Sequence, residues 1–153
     1  NLARYVEYWY WGRVYSETHT VVYAFIQCNK KMDHYPIKVL MLAENENIVL
    51  STGEYELNQA GFTHDERAGN EYPKKLEFSI PRNLKLTLKV KEVVDADNLL
   101  TEFNPILRMI AKYLLRLRPG YFRLNSEFHL EVMKEGRKVR EEGQAMHEMV
   151  ILK

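Results

Sequence analysis

The residues best suited to chemistry in this sequence are two glutamates near the C-terminus. Glu148 lies in an apolar run beside His147, and Glu127 alternates with Arg123 and His129 along an earlier segment. A carboxylic acid that burial keeps protonated can act as a general acid. A cation formed by proton transfer is attracted to the electron-rich faces of Trp and Tyr rings. We therefore take Glu148 and Glu127 as candidate catalytic acids and look for aromatic residues that could lie near them.

Aromatic residues are concentrated near the N-terminus. Residues 5–15 read YVEYWYWGRVY, and residues 20–28 read TVVYAFIQC. Bulky aromatic side chains suit strands and the walls of apolar pockets, although packing in a core or a domain interface is the alternative explanation. The candidate ligand-binding residues, with the polar groups that accompany them, are Trp9, Trp11, Arg13, Tyr15, Tyr23, Phe25, Arg123 and His147.

The polar candidates also have structural interpretations that the sequence leaves open. Arg123, Glu127 and His129 alternate along one segment and are equally well explained as a solvent-exposed face. Arg123 and Glu127 could instead form an ion pair that closes one end of the fold. His147 and Glu148 could be a hydrogen-bonded pair between strands.

Several other classes of function are disfavoured. The net charge of +1 provides no field for nucleic acid. Cys28 is the only cysteine, so it forms no internal disulfide and is expected in the core. No phosphate-binding loop or Gly-x-Ser-x-Gly motif is present, and the five histidines are too scattered for a metal motif, so we expect neither a cofactor nor a metal. With no signal peptide or membrane-spanning run visible, we expect a cytoplasmic protein.

Alternating apolar and polar residues predict that strands position these candidates. The clearest element is a hairpin over residues 121–152, turning at residues 134–137, where Gly136 can adopt positive φ. The earlier strands are expected at residues 5–15, 20–28, 37–43, 48–52, 55–66, 76–80 and 84–90, with a turn at residues 68–73. The first two are apolar on both faces, so both of their faces should be covered.

One helix is predicted over residues 104–117. Asn104 can cap it, and Pro105 suits its first position. Ile106, Ile110, Tyr113, Leu114 and Leu117 form an apolar stripe that we expect to pack on the sheet. Arg108, Lys112 and Arg116 form a basic stripe. This stripe is either a solvated outer face or a peripheral membrane contact made by residues 104–118, and exposed apolar residues beside Arg108 and Lys112 would favour the membrane.

Eight or nine antiparallel strands joined by short turns predict an up-and-down meander. About eight such strands close into a barrel that can hold one small ligand. An open sandwich is the alternative fold.

Four blocks of the sequence resemble the lipocalin-like family that includes carotenoid 1,2-hydratase (hydroxyneurosporene synthase) and the AttH-like proteins. The blocks are residues 9–13 (WYWGR) with 20–24 (TVVYA), residues 70–88, residues 118–123 (RPGYFR) and residues 141–149. The resemblance lies in their order and spacing. It implies an antiparallel up-and-down lipocalin-like β-barrel with one α-helix before the last hairpin.

The resemblance also implies a domain organisation and a function. Members of the family contain two tandem barrels, so residues 1–153 would be a single barrel domain, the C-terminal half of a longer protein, with the second barrel as its partner. The ligand would be a hydrophobic, isoprenoid-like or polyketide-like molecule. In the hydratase branch, a hydro-lyase activity would add water across a C=C bond without a cofactor.

The chain departs from the family pattern at one position. In the hydratase branch of the family that this chain resembles, the second strand carries a Tyr-x-Asp pattern. In this chain the residue two positions after Tyr23 is Phe25 and not an aspartate. Either the hydratase activity is absent, or the reactive carboxylate lies in the other barrel. The rival functions are a non-catalytic carrier and a structural half-barrel. An open aromatic cavity with an inward carboxylate favours the enzyme, a cavity without an acid favours the carrier, and a packed interior favours the structural role.

Overall fold

The computed structural model describes residues 4–114 and 118–152, which form one nine-stranded antiparallel sheet. The strands are β1 (Val6–Tyr15), β2 (His19–Cys28), β3 (Pro36–Glu44), β4 (Asn47–Thr52), β5 (Glu56–Asp65), β6 (Asn70–Ile80), β7 (Leu84–Asn98), β8 (Gly120–Lys134) and β9 (Arg137–Ile151). Their order across the sheet is β4-β3-β2-β1-β9-β8-β7-β6-β5. The last strand therefore returns to pair with the first, and β4 and β5 are the two edges.

The sheet curls into a lipocalin-like half-barrel, which confirms the predicted fold class. Side chains connect strands that are distant in the sheet order. The Tyr10 hydroxyl donates a hydrogen bond to Gln59 Oε1 at 2.7 Å, and the Tyr23 and Phe78 rings lie with centroids 4.3 Å apart. Side-chain packing across the curl thus brings β1 and β2 against β5 and β6.

The inside of the curl is filled by side chains. Its largest fully buried members are Tyr23, Phe78, Phe122, Phe128, Leu40, Leu76, Leu86, Leu88, Leu124, Leu130, Met149 and Val14. They come from alternate positions of strands all around the sheet, as the two-residue period of a strand requires. This packed interior is the outcome expected for a structural half-barrel.

The outer face of β1 and its neighbours is also apolar, as predicted for the first two strands. Part of this face is covered by a second cluster made of Val6, Val150 and Leu152, against which Trp9 and Ile26 pack. Another part is open, with Trp11, Ile37 and Val39 each about half exposed. The polar candidates therefore share this outer face with exposed aromatic and aliphatic side chains.

Two strands are longer than predicted. β7 runs to Asn98, because two register shifts against β8, between Val90 and Glu92 and between Val93 and Asp95, interrupt its alternation. β6 begins at Asn70, so the turn predicted at residues 68–73 is wrong from residue 70 onwards. Pro73 is tolerated in this strand because β6 pairs there with β5 alone, and its ladder with β7 begins only at Lys75.

The final hairpin agrees with its prediction. Lys134 pairs with Arg137 across a two-residue turn. Both turn residues have positive φ, 51° at Glu135 and 75° at Gly136, which is the combination that a type I′ turn requires. The turn matches the twist of the strands and sets the register of β8 against β9.

The helical segment differs from its prediction in packing. It consists of α1 (Pro105–Met109) and a π-helical turn (Ile110–Leu114), and residues 115–117 of the predicted helix lie outside the described residues. Asn104 Oδ1 accepts a hydrogen bond from the Leu107 amide at 2.9 Å, as expected for a cap. The expectation that the apolar stripe packs on the sheet is wrong, because Ile106 is 68% and Tyr113 72% exposed. In the described part of the chain, no helix has the length and apolar character needed to cross a membrane.

Candidate ligand site on the outer face

A cleft of about 550 Å³ lies on the outer face of β1, β8 and β9. Its walls are formed by Trp11, Gly12, Arg13, Tyr15, Arg123, Gln144, Ala145, Met146, His147 and Glu148. Six of the ten sequence candidates thus meet in one place, although they come from three strands. They are Trp11, Arg13, Tyr15, Arg123, His147 and Glu148.

Strand period and register explain this assembly. Trp11, Arg13 and Tyr15 occupy alternate positions of β1 and are all exposed. Glu148 of β9 lies opposite Trp11, and Arg123 of β8 lies opposite Glu148. The three strands therefore place an indole, a carboxylate and a guanidinium in one row across the sheet.

Hydrogen bonds orient the groups around the cleft. The Trp11 indole N–H donates to Glu148 Oε2 at 2.9 Å. Arg13 Nη1 donates to the Tyr15 hydroxyl at 2.6 Å, and its guanidinium carbon lies 5.6 Å from the centre of that ring. Burial raises the pKa of the neighbouring Tyr121, and the Glu148 carboxylate raises it further. The cleft thus combines two aromatic surfaces, two cations and a proton-accepting carboxylate.

His147 faces the opposite side of the sheet from Glu148, so the two do not form the hydrogen-bonded pair considered above. Its ring is 2% exposed, and Nε2 lies 2.6 Å from Ser126 Oγ. Burial lowers the pKa of His147 to about 4 and raises that of the fully buried Tyr23 well above its ordinary value. Both groups are therefore neutral at pH 7.

Gly12 provides the space for these two side chains. A Cβ atom at Gly12 would lie 2.7 Å from His147 Cβ and 2.8 Å from the Tyr23 hydroxyl. Among the described residues, that hydroxyl and His147 Nδ1 are buried without a hydrogen-bond partner. The glycine in the WYWGR block is thus required by close packing beneath the cleft.

The remaining candidates lie elsewhere. Phe25 is in the packed interior, where its ring stacks on Tyr8 and Tyr10, and Trp9 belongs to the second, outer cluster. Glu127 lies outside the cleft walls. Its carboxylate contacts His129 Nε2 at 2.7 Å and Lys91 Nζ at 3.1 Å, and these contacts lower its pKa. Glu127 is therefore paired with His129 and Lys91, and not with Arg123 as the alternative interpretation expected.

Sequence reasoning missed a second polar group of residues at the turn end of the barrel. The Glu141 carboxylate accepts hydrogen bonds from Ser16 Oγ and from Thr18 Oγ1 at 2.6 Å, and it lies 2.7 Å from His19 Nδ1. Burial alone would raise the pKa of Glu141, but the hydrogen bonds lower it to about 2. His19 also lines a smaller cleft of about 210 Å³ with Leu42 and other apolar side chains. The residues of this group are up to 125 positions apart, so no local sequence motif could have predicted it.

Within residues 4–114 and 118–152, no group of three or more His, Cys, Asp or Glu side chains is arranged to hold a metal ion. The side chains around the outer cleft offer groups for stacking, ion pairing and hydrogen bonding.

Comparisons with known proteins give a fold relationship. No model of a protein family and no curated protein matches the sequence. Among solved structures, kievitone hydratase from Nectria haematococca matches with a TM-score of 0.63 and 10% identity, over 95% of this chain and 40% of that one. CghA matches with a TM-score of 0.61 and 11% identity, and its complex with Sch210972 with 0.58 and 12%, each over 98% of this chain and 42% of that one. At such identities the likeness shows a shared fold, and this chain spans about two fifths of those structures.

Proposed function

We propose that the chain binds a small molecule with a planar or extended apolar body and a polar group in the outer-face cleft. We further propose that Glu148 transfers a proton during addition or removal of water at a C=C bond. The observation that carries this proposal is the row of Trp11, Glu148 and Arg123 across three strands, bordering a cleft of about 550 Å³.

The dimensions and lining of the cleft support ligand binding. Its volume falls within the range of about 300–1,000 Å³ that is common for small-molecule sites. Trp11 is 48% and Tyr15 60% exposed, so both can offer an aromatic surface to a bound molecule. Arg13 and Arg123 supply cations that can hold an oxygen-bearing group of the ligand.

The proposed reaction uses Glu148 in both directions. In hydration, Glu148 gives a proton to one alkene carbon, and the adjacent carbon becomes cationic near the Trp11 face. Water then forms a C–O bond with that carbon, and its surplus proton returns to Glu148. Dehydration is the reverse sequence. The name of kievitone hydratase, a protein with the same fold, agrees with this class of reaction.

The isoprenoid-like or polyketide-like nature of the ligand rests on the resemblance to the hydroxyneurosporene synthase family, as does a second barrel as partner. Because the barrel interior is filled by side chains, we place the ligand on the outer face, where a second barrel could cover it. The rival proposal is a non-catalytic carrier or structural half-barrel, and the packed interior is an observation that favours the structural role.

Ligand binding can be tested by tryptophan fluorescence. Trp9→Phe leaves Trp11 as the only indole reporter, and Trp11→Phe is its matched counterpart. Titration with farnesol, retinol and naringenin should quench the Trp9→Phe variant with saturable binding, and Trp11→Phe should bind at least about tenfold more weakly. If none of the three compounds binds, or if both variants bind equally well, the proposal that the cleft is the ligand site would be contradicted.

Catalysis needs a separate measurement. Compounds that bind should be incubated with the protein in ¹⁸O-labelled water, and the products analysed by mass spectrometry for gain of labelled water. Glu148→Gln should retain binding but lose label incorporation, whereas Glu127→Gln, the same change outside the cleft, should incorporate label at the wild-type rate. Binding without incorporation in the wild-type protein would establish the carrier.

A further inference from the structure

The segment between β7 and β8 holds an amphipathic helix whose apolar side faces solvent. Ile106 and Ile110 are four residues apart, which places them on one side of α1 and its C-terminal cap, and Tyr113 follows in the π-helical turn. The exposed fractions of large apolar side chains in this segment are 47% at Phe103, 68% at Ile106, 49% at Leu107, 57% at Met109, 40% at Ile110 and 72% at Tyr113. Such a concentration marks an interaction surface.

Hydrogen bonds of Arg108 set this orientation. Its guanidinium donates to the carbonyl oxygens of Leu100 at 3.2 Å, Thr101 at 3.0 Å and Phe103 at 3.3 Å. Arg108 lies two residues after Ile106 and two before Ile110, on the opposite side of the helix. Binding Arg108 to the preceding turn therefore directs the isoleucines away from it.

The preceding turn is itself anchored to the barrel. It is a 3₁₀-helix, Leu99–Glu102, in which Leu100 is buried and Leu99 packs against the second, outer cluster. Its start is fixed by Asn98, whose side chain accepts a hydrogen bond from the Leu100 amide at 3.0 Å. The outward apolar face is thus held by a continuous set of contacts that begins in the sheet.

The charge of the segment indicates the kind of partner. Residues 103–118 contain Arg108, Lys112, Arg116 and Arg118 and no acidic residue. Lys112 is exposed beside Tyr113, with its ammonium nitrogen 5.5 Å from the ring centre. We propose that this segment docks the protein on an anionic lipid surface, with its apolar side chains among the acyl chains and Lys112 at the headgroups.

An anionic bilayer fits these features together. The isoleucines, Leu107 and Met109 supply apolar area, Tyr113 is suited to the interface between acyl chains and headgroups, and the absence of acids avoids repulsion from phosphatidylserine. The proposal does not rest on the ligand cleft, which is built by other residues.

Vesicle co-sedimentation tests the docking. We expect binding to phosphatidylcholine vesicles that contain about one third phosphatidylserine, weaker binding to pure phosphatidylcholine, and loss of binding at high salt. Ile106→Glu should weaken binding by about tenfold or more, because it places a charge on the inserted face. The matched control is Ile48→Glu on β4, since Ile48 is 63% exposed and lies outside the helix.

The outcomes discriminate between occupants of this face. Ile106→Glu is an exposed change, and its circular dichroism spectrum should match that of Ile48→Glu. No vesicle binding by the wild-type chain, or equal loss in both variants, would overturn the proposal. Dimers in light scattering that Ile106→Glu abolishes, without vesicle binding, would assign the face to a second copy and likewise overturn it. Ligand quenching of Trp11 should be unaffected by either variant.

Discussion

Acidification should destabilise the protein through His147, which is buried beneath the outer cleft. Burial lowers the pKa of its imidazole to about 4, whereas the ring in the unfolded chain titrates near its ordinary value of 6.5. Between these values the unfolded state binds a proton that the folded state does not. The stabilisation is therefore complete above pH 6.5 and is lost progressively as the pH falls through that window towards 4.

The magnitude follows from the difference between the two pKa values. The lowering of the His147 pKa from 6.5 to about 4 corresponds to about 3 kcal/mol in full, of which roughly 2 kcal/mol is lost between pH 7 and pH 5. The free energy of unfolding can be measured by urea denaturation at both pH values for the wild type and for His147→Gln. The loss in the wild type should exceed that in the variant by about this amount, because other titrating groups cancel in the comparison.

Two results would refute this reasoning. One is an equal loss of stability in the wild type and His147→Gln. The other, which does not depend on the variant folding, is an NMR titration of the folded wild type in which the His147 ring protons report a pKa near 6.5. Either would mean that the ring is hydrated in solution, despite its 2% exposure.

The remaining predictions concern packing and the turn-end hydrogen bonds. Gly12→Ala should lower the free energy of unfolding by about 1–3 kcal/mol, because the new methyl group meets His147 and Tyr23 below 3.0 Å. Gly136→Ala meets no atom within 4 Å and should cost only the strain of its positive φ, so an equal effect of both changes in urea denaturation would contradict the packing argument. Glu141→Gln should cost about 2 kcal/mol, because the charge-assisted hydrogen bonds from Ser16, Thr18 and His19 become weaker. The exposed neighbouring change Glu142→Gln should be nearly neutral in the same urea denaturation experiment, and a similar loss in both variants would argue against a specific role for Glu141.

The strands were predictable because their signal is local. Side chains alternate with period two wherever one face is buried, so the final hairpin and its turn could be assigned from the sequence. β7 was predicted too short because two register shifts reset its alternation after Val90. Such shifts depend on how β8 pairs with it, which a single segment does not reveal.

The orientation of the helix could not be predicted for a related reason. A stripe of Ile106, Ile110 and Tyr113 shows that a face exists, but not which side the protein body occupies. The deciding contacts are between Arg108 and three backbone carbonyls of the turn before it. Because every residue has a backbone carbonyl, the residue types do not show which carbonyls will accept the hydrogen bonds of Arg108.

The candidate site was predictable in its parts and less so in its assembly. Trp11, Arg13 and Tyr15 stood out as an aromatic and cationic cluster within one strand. Their meeting with Glu148 and Arg123 requires β9 to pair with β1 and β8, which follows once the last strand is placed beside the first. The contact between His19 and Glu141 spans 122 positions and joins the first residue of β2 to β9, so it depends on the register of the folded sheet.

The two faces of β1 explain how a filled barrel can still present a site. Tyr10, Gly12 and Val14 point inward and complete the core, with Gly12 leaving room for the large side chains of its neighbours. Trp11 and Arg13 lie between them and point outward into the cleft. Successive residues of a strand point to opposite faces of the sheet. The inward aromatic residues of this segment can therefore stabilise the core while the outward ones remain available to bind a ligand. An interior that the described side chains fill is therefore compatible with a ligand-binding function, provided that the ligand is held on the outside of the sheet.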